Sequence, residues 1–192
     1  MSEFNMSGKD WDKIINYSHI AWEKDKSEIG GMMIATKEGN DFLLSDPVIL
    51  KQQVSGSNTV LDKEALAQYY GKTAIKNAGK DIIFVWWHSH HTMAAFWSGT
   101  DLATIDTTKT GSVSMSLVVN LKEEYLFRVI SVFLAPSFLA NSSSMGKGLC
   151  FLTEMILHMN IAFFPTNSFS GKISGKTAST FISPSFFAFN SC

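Results

Sequence analysis

Two histidines one residue apart, at the end of an apolar run, are the best candidates for chemistry in this chain. The apolar run over 82–87 leads directly into His88, and His90 follows after a single serine. Residues two apart in an extended strand face the same side, so both imidazoles can point to one place. Asp101 lies further along, in the first turn of a predicted helix, and can add a carboxylate oxygen. The three side chains predict a site that chelates a metal ion.

The ligand types indicate which metal and which reaction to expect. Two imidazoles and one carboxylate form a three-ligand set of the kind found at catalytic zinc sites, where the fourth position is open for water. Zinc lowers the pKa of such a water to about 7 and polarises a bound carbonyl group. We therefore expect Zn²⁺ as the cofactor and hydrolysis as the reaction.

Hydrolysis by a metal-bound water needs a general base, and Glu28 is the candidate. It lies between the predicted first helix and first strand, just before Gly30 and Gly31, which would let backbone and substrate come close. A carboxylate bonded to the water can take its proton and pass it to the leaving amine. Glu23 and Glu38 are nearby, and a glutamate at a helix end is commonly only a solvated charge.

Ser98 has two interpretations that are compatible with each other. Seven residues separate it from His90, and its hydroxyl can donate to the oxyanion that forms during hydrolysis. The spacing Ser98-x-x-Asp101 also fits a capping box, in which the serine caps a helix and the acid bonds back to it.

Four aromatic residues surround this segment. Trp86, Trp87, Phe96 and Trp97 are expected to form core and pocket wall, where they would exclude water from the metal. Phe96 or Trp97 can also line a substrate groove.

The first helix is predicted over 11–26. Ile14, Ile15, His19 and Trp22 have the spacing of one apolar stripe, and the glycine pair at 30–31 is expected to stop the helix.

The remaining periodicity predicts the order helix, β-hairpin, helix, strand, helix, strand, strand, which is typical of an α/β domain. The further elements are strands over 32–35 and 42–50, a helix over 62–77 with Asp62 as N-cap, a strand over 82–87, a helix from Ser98, and strands over 113–119 and 125–132.

The composition changes sharply near residue 131. Beyond this point only Lys147, Glu154, Lys172 and Lys176 are charged, and Ser and Phe are abundant without clear periodicity. We therefore predict a hydrolase domain over 1–132 and an atypical tail over 133–192 that is foreign to the native fold. The alternative is an unusual but real subdomain, in which residues 149–164 form one helix against the core.

The overall composition limits which binding partners and which cellular location we expect. The net charge is -1 and the pI is about 6.5, so no basic field favours nucleic acid. The two cysteines, Cys150 and Cys192, indicate neither a disulfide framework nor a thiolate metal site, which fits a reducing cytoplasm. The N-terminus lacks the apolar segment of a secretory signal, and no run reaches the roughly 20 apolar residues of a membrane span. The sequence leaves the oligomeric state open.

Taken together, these motifs resemble a known enzyme family. Glu28, the His-Ser-His at 88–90, Ser98 and Asp101 match the JAMM signature of the MPN-plus (JAB domain) zinc metalloproteases. The block WWHSHHTMAAFWSGTD at 86–101 is similar to that of the single-domain prokaryotic and viral members. One departure is His91, where relatives usually carry Gly or Pro; it can donate to the site or lie at the surface.

The resemblance covers about residues 10–132 and implies both fold and activity. The fold would be the MPN (JAB/cytidine-deaminase-like) fold, a mixed and mostly antiparallel sheet flanked by helices. The enzyme would be an isopeptidase or peptidase with zinc on His88, His90 and Asp101, Glu28 as base and Ser98 as oxyanion donor. Its substrate would be a protein or peptide, including a ubiquitin-like modifier, in the cytoplasm of the cell or of a viral host.

Two other functions stay open at this point. The same motif can serve a hydrolase that acts on another amide, such as a cell-wall peptide, because the motif determines the reaction and leaves substrate choice to loops. A non-catalytic MPN module in a larger assembly is the second alternative, against which the intact ligand set argues.

Overall fold

The computed structural model describes residues 3–134, 154–162, 172–173 and 181–182. These residues form a nine-stranded sheet, a separate two-stranded sheet and three helices. In chain order the elements are β1 (Phe4–Met6), α1 (Gly8–Asp25), β2 (Gly30–Glu38), β3 (Asp41–Ile49), β4 (Gln52–Ser55), β5 (Asn58–Leu61), α2 (Lys63–Lys76), β6 (Ile82–Ser89), α3 (Gly99–Thr108), β7 (Val113–Val119), β8 (Tyr125–Leu134), β9 (Glu154–Ala162), β10 (Lys172–Ile173) and β11 (Phe181–Ile182).

The large sheet is mixed and mainly antiparallel. Its strand order is β10-β1-β3-β2-β6-β7-β8-β9-β11. Only the pairs β1–β3 and β6–β7 run parallel among the strands described. Strand β6 lies between β2 and β7, so its backbone is paired on both edges. The expected α/β class is confirmed, and the strand that carries the two histidines is central.

The side chains of β6 alternate between two apolar layers, as the period of a strand requires. Val85 and Trp87 belong to the layer under helix α1, together with Ile14 and Ile15. Trp86 belongs to the opposite layer, which also contains Ile105 of α3 and is covered by residues of α2. Since His88 is two residues beyond Trp86, its side chain lies on the face covered by α2 and α3.

Helix α1 has a definite signal at each end. Ser7 is the N-cap, and its hydroxyl accepts a hydrogen bond from the backbone N–H of Asp10. The helix ends at Asp25, with Lys26 in the left-handed conformation at a φ of 53°. The prediction that Gly30 and Gly31 stop this helix is wrong, because both are the first residues of β2.

Close packing within the chain explains the two glycines. A side chain on Gly31 would collide with the carbonyl oxygen of Val48, and one on Gly30 would lie 2.7 Å from Thr59 Cγ2. Their small size was expected to admit substrate. In the structure, the space beside the two glycines is occupied by Val48 and Thr59 of the same chain.

The buried face of α1 differs from the predicted stripe. Ile14 and Ile15 are buried as expected, but Ser18 and Ala21 complete the face and His19 is exposed. Ser18 is tolerated inside because its hydroxyl donates to the carbonyl oxygen of Ile14 at 2.9 Å. None of the three helices in the described part of the chain has both the length and the hydropathy that crossing a bilayer requires.

Several short strands were not predicted. β1 pairs with β3, and β4 pairs with β5 as a separate hairpin. Within the tail, β9 pairs with β8 along nine residues, so the part of 149–164 that the structure describes is a strand and not the helix considered above. β10 and β11 add to the two outer edges of the sheet. Tail residues outside these strands lie outside the described part of the chain.

A chain that ends at Pro136 tests the predicted domain boundary. Such a chain loses β9 and β11 from one end of the sheet and β10 from the other, and it keeps the inner strands β2 and β6 and the helix α3. We expect it to fold and to bind metal like the full-length chain, as measured by thermal unfolding and elemental analysis. If only the full-length chain folds and binds metal, the tail is part of the working domain.

Candidate metal centre

Three buried side chains converge where β6 ends and α3 begins. His88 and His90 project from the same side of the strand, and Asp101 lies in the first turn of α3. His88 Nε2 is 3.1 Å from Asp101 Oδ1, and His90 Nε2 is 3.3 Å from Asp101 Oδ2. The three possible ligand atoms all lie within 4.8 Å of one another. This buried group can hold a metal ion.

Asp101 is positioned by the start of its own helix. Ser98 is the N-cap of α3, and its hydroxyl accepts from the backbone N–H of Asp101 at 3.1 Å. In return Asp101 Oδ2 accepts from the backbone N–H of Ser98 at 2.7 Å. The predicted capping box is present, and it turns the carboxylate back toward the two histidines.

A backbone carbonyl sets the orientation of His90. Its Nδ1 is 3.2 Å from the carbonyl oxygen of Ala94, an arrangement in which Nδ1–H donates. Nδ1 then carries a hydrogen, and Nε2 is the nitrogen that faces Asp101 and can bind a metal when the ring is neutral. Such a bond on the far nitrogen is usual for histidines that bind metals.

His88 is enclosed by aromatic rings and lacks hydrogen bonds. Trp86 stacks on it at 4.3 Å with an interplanar angle of 11°, and the Trp97 ring lies 6.0 Å away. Neither ring nitrogen has a hydrogen-bond partner, although Nε2 is close to Asp101. Leaving a buried polar atom unpaired costs about 1–3 kcal/mol. A cation bound by His88 Nε2 and the carboxylate would supply a partner for Nε2, so the residues present fit a metal.

The protonation states of His88 and Asp101 suit coordination. Burial lowers the pKa of His88, which keeps the ring neutral. Burial by itself would raise the pKa of Asp101, but its contacts with both histidines outweigh this and hold that pKa well below its usual range. Burial lowers the pKa of His90 too, whereas the contact with Asp101 and the charge of Glu28 raise it, and the net direction is upward. A neutral imidazole and an ionised carboxylate are the forms that bind metals.

Glu28 lies beside this group without belonging to it. Glu28 comes two residues before Gly30, which pairs with His88, and it lies close enough to His90 and Asp101 for their charges to act on its pKa. Glu28 is only 3% exposed, and it is not one of the three clustered ligands. Burial raises its pKa to about 7, while His90 lowers that pKa and Asp101 raises it. A buried carboxylate near neutral pKa is typical of a general base.

The other expected site residues lie in distinct places. Phe96 contacts the His90 ring edge-on at 4.6 Å and is 45% exposed, so it borders the metal group at the surface. Trp97 packs in the layer that contains Trp86. The His91 ring turns to another part of the chain, where its Nε2 is 2.8 Å from the carbonyl oxygen of Gly56.

Two supporting residues were missed by sequence reasoning. Asn120 is fully buried and donates to the carbonyl oxygen of Met93 at 2.9 Å, which holds the segment that follows His90. Gln52 forms three hydrogen bonds with backbone groups of Gly30 and Leu50. A single asparagine or glutamine carries no spacing signal, so only the tertiary structure reveals these roles.

Comparison with known proteins adds little to this geometry. No family model matches the chain, and no curated protein matches it. The solution structure of protein DSY2949 from Desulfitobacterium hafniense is similar, with a TM-score of 0.46 and 17% sequence identity over 67% of this chain and 83% of that chain. A likeness at this level carries no argument about function.

The metal centre predicts the metal content of the purified protein. We expect about one divalent ion per chain, because three ligand atoms converge on one place. His88→Ala and His90→Ala should each lose most of the bound metal, as measured by elemental analysis. His19→Ala is the matched control, since His19 is exposed on α1. Metal content that stays the same in both ligand variants would contradict the site.

Proposed function

We propose that this protein is a zinc-dependent hydrolase of the JAMM type with an MPN fold, which cleaves a peptide or isopeptide bond. The observation that carries the proposal is the buried convergence of His88, His90 and Asp101, with the buried carboxyl group of Glu28 close enough for His90 and Asp101 to act on its pKa. The element order and the JAMM-like motif at 86–101 add support.

Zinc suits the donor set, because it is commonly held by imidazole and carboxylate ligands. When bound there, it would lower the pKa of a water molecule and polarise the carbonyl group of the substrate. The carboxylate of Asp101 would offset part of the metal's positive charge inside a site from which Trp86 and Trp97 exclude water.

Glu28 handles the proton in this proposal. As the water oxygen attacks the carbonyl carbon, Glu28 accepts a proton from the water. The carbon–nitrogen bond then breaks, and Glu28 delivers that proton to the leaving amine. A pKa near 7 suits both halves of this transfer, since the group can accept and release a proton at neutral pH.

Ser98 serves both the helix and the reaction. In the capping box its oxygen accepts from the N–H of Asp101, and a hydroxyl also has one hydrogen to donate. That hydrogen can bond the carbonyl oxygen of the substrate as negative charge develops on it. The role of cap places the hydroxyl next to the ligand Asp101.

The substrate we propose is a protein or peptide segment, including the tail of a ubiquitin-like modifier. The exposed ring of Phe96 beside His90 offers an apolar contact at the edge of the site. A hydrolase assay on modifier fusions and on cell-wall peptides separates this substrate class from the alternative amide.

The role of Glu28 is tested by Glu28→Gln. The amide keeps the shape of the side chain but cannot take up the proton, so turnover should fall by about 10²–10⁴-fold. Zinc content should stay unchanged, because Glu28 is outside the ligand cluster. Glu23→Gln is the control, since Glu23 is exposed at the end of α1. Near-normal turnover by Glu28→Gln would assign the base to another residue.

The two roles of Ser98 are separated by Ser98→Gly. Glycine at an N-cap costs only a few tenths of a kcal/mol, so thermal stability should stay close to that of the original protein. The hydroxyl donor is lost, and kcat should fall by about 10²–10³-fold. Ser98→Thr keeps the hydroxyl and should keep most of the activity. An active glycine variant would leave Ser98 with the capping role alone.

A further inference from the structure

The hairpin of β4 and β5 lies against the segment that carries Glu28. The backbone N–H of Glu28 donates to the carbonyl oxygen of Ser55 at 2.8 Å. Two residues later, Gly30 N–H donates to Gln52 Oε1 at 3.0 Å, and Gln52 Nε2 donates to the Gly30 carbonyl oxygen at 2.8 Å. The glutamine side chain therefore takes the place of a neighbouring strand along this edge.

The opposite edge of the same segment is held by β6. Ser89 N–H donates to the carbonyl oxygen of Ile29 at 2.8 Å, and Ile29 N–H donates to Ser89 Oγ at 3.2 Å. Glu28 is thus held between β6, which carries the metal ligands, and the hairpin. Its position depends on where the hairpin lies.

His91 connects the hairpin to the metal-binding segment. Its Nδ1 accepts from Thr92 N–H at 2.7 Å, so the ring hydrogen is on Nε2 and donates to the Gly56 carbonyl oxygen at 2.8 Å. The ring also stacks on Trp22 of α1 at 4.4 Å with an interplanar angle of 21°. His91 is only 7% exposed, so these contacts are shielded from water.

The two hairpin carbonyls that accept these bonds belong to consecutive residues. Ser55 accepts from Glu28, and Gly56 accepts from His91, which directly follows the ligand His90. The backbone of one dipeptide thus links the segment of the base to the segment of the ligands. A shift of this dipeptide would move Glu28 relative to His90.

The backbone of His91 points to a specific use of its side chain. Its φ is 40°, in the left-handed region that glycine adopts without strain. A bulky residue in such a conformation needs surrounding contacts that hold it there, and strain of this kind tends to occur at functional sites. The bond to Gly56 and the stack on Trp22 are those contacts.

We propose that His91 is a positioning residue for Glu28, acting through the tip of the β4–β5 hairpin. The proposal rests on the role of Glu28 as general base given above. It assigns to His91 no contact with substrate or metal. A misplacement of about 1 Å at a reacting group can lower a rate about 100-fold, so a bond that holds the base matters for turnover.

The test compares His91→Gly with the original full-length protein. Glycine suits the positive φ, and the change removes the bond to Gly56, the stack on Trp22 and the local bond from the N–H of the next residue, Thr92. Amide hydrogen exchange at Glu28, followed by NMR, should become about tenfold faster, because local opening frees its N–H from Ser55. With a confirmed substrate, kcat should fall about tenfold to 100-fold while KM and zinc content stay unchanged.

Two further variants separate positioning from general loss of structure. His91→Gln keeps a donor that can reach Gly56, so it should restore much of the exchange protection and of kcat. Asp46→Gly is the matched control: Asp46 also has a positive φ of 55°, and this change breaks one exposed ion pair with Lys76, outside the site. It should leave exchange at Glu28 and kcat unchanged.

The readouts distinguish this proposal from the proposed function. Unchanged exchange at Glu28 in His91→Gly overturns the positioning role, as does loss of zinc from that variant. If His91→Gly does not fold, Trp22→Leu removes the stack on His91, together with the contact between the Trp22 ring and Lys26, and should still speed exchange at Glu28; no change there overturns the proposal. Normal turnover by Glu28→Gln would contradict the role of Glu28 as general base. The exchange measurement tests the role of His91 separately, because it does not depend on catalysis.

Discussion

The carboxylate of Asp101 contacts two imidazoles in a place almost closed to water, and this contact constrains the structure around it. A buried charge is costly unless it is paired and hydrogen-bonded. His88 and His90 lie 3.1 and 3.3 Å from its two oxygens, and the N–H of Ser98 donates a hydrogen bond to it. The start of α3 must therefore lie against the end of β6, which explains why a helix cap and a strand end meet here.

The group is polar in a region that would otherwise be core. His88 lies between β2 and β7 in the middle of the sheet, under Trp86, with both ring nitrogens lacking hydrogen bonds. An apolar residue would satisfy this position better if packing were its only role. Departures from local rules of this kind are expected at functional sites. The cost is understandable if the nitrogen serves a metal ion.

The segment that carries Glu28 shows how contacts between distant parts of the chain hold a residue in place beside the metal-binding group. Glu28 comes from the connection between α1 and β2, and connections of this type are usually mobile and exposed. Here the segment is bonded on one edge by Ser89 and on the other by Gln52 and Ser55. Hydrogen bonds thus hold this irregular segment on both edges, as in a strand, and the carboxyl group of Glu28 can stay buried beside His90.

The sequence by itself determined the features that act within one element. An unbroken apolar run predicted β6, a strand followed by a charged turn predicted β7, and helical spacing predicted α2. The His-x-His spacing indicated two imidazoles on one side, and Ser98-x-x-Asp101 indicated the cap. Only the tertiary structure decided that Glu28 lies near His90, that His19 faces outward and that the β4–β5 hairpin bonds to the segment that carries Glu28. Strands β4 and β5 are short and largely polar, so they carry no hydrophobic period to recognise. The physical reason is that the periodicity of a segment indicates only which of its own side chains are buried. Register, and contacts such as that between Ile29 and Ser89, 60 residues apart, depend on which distant segment pairs with it.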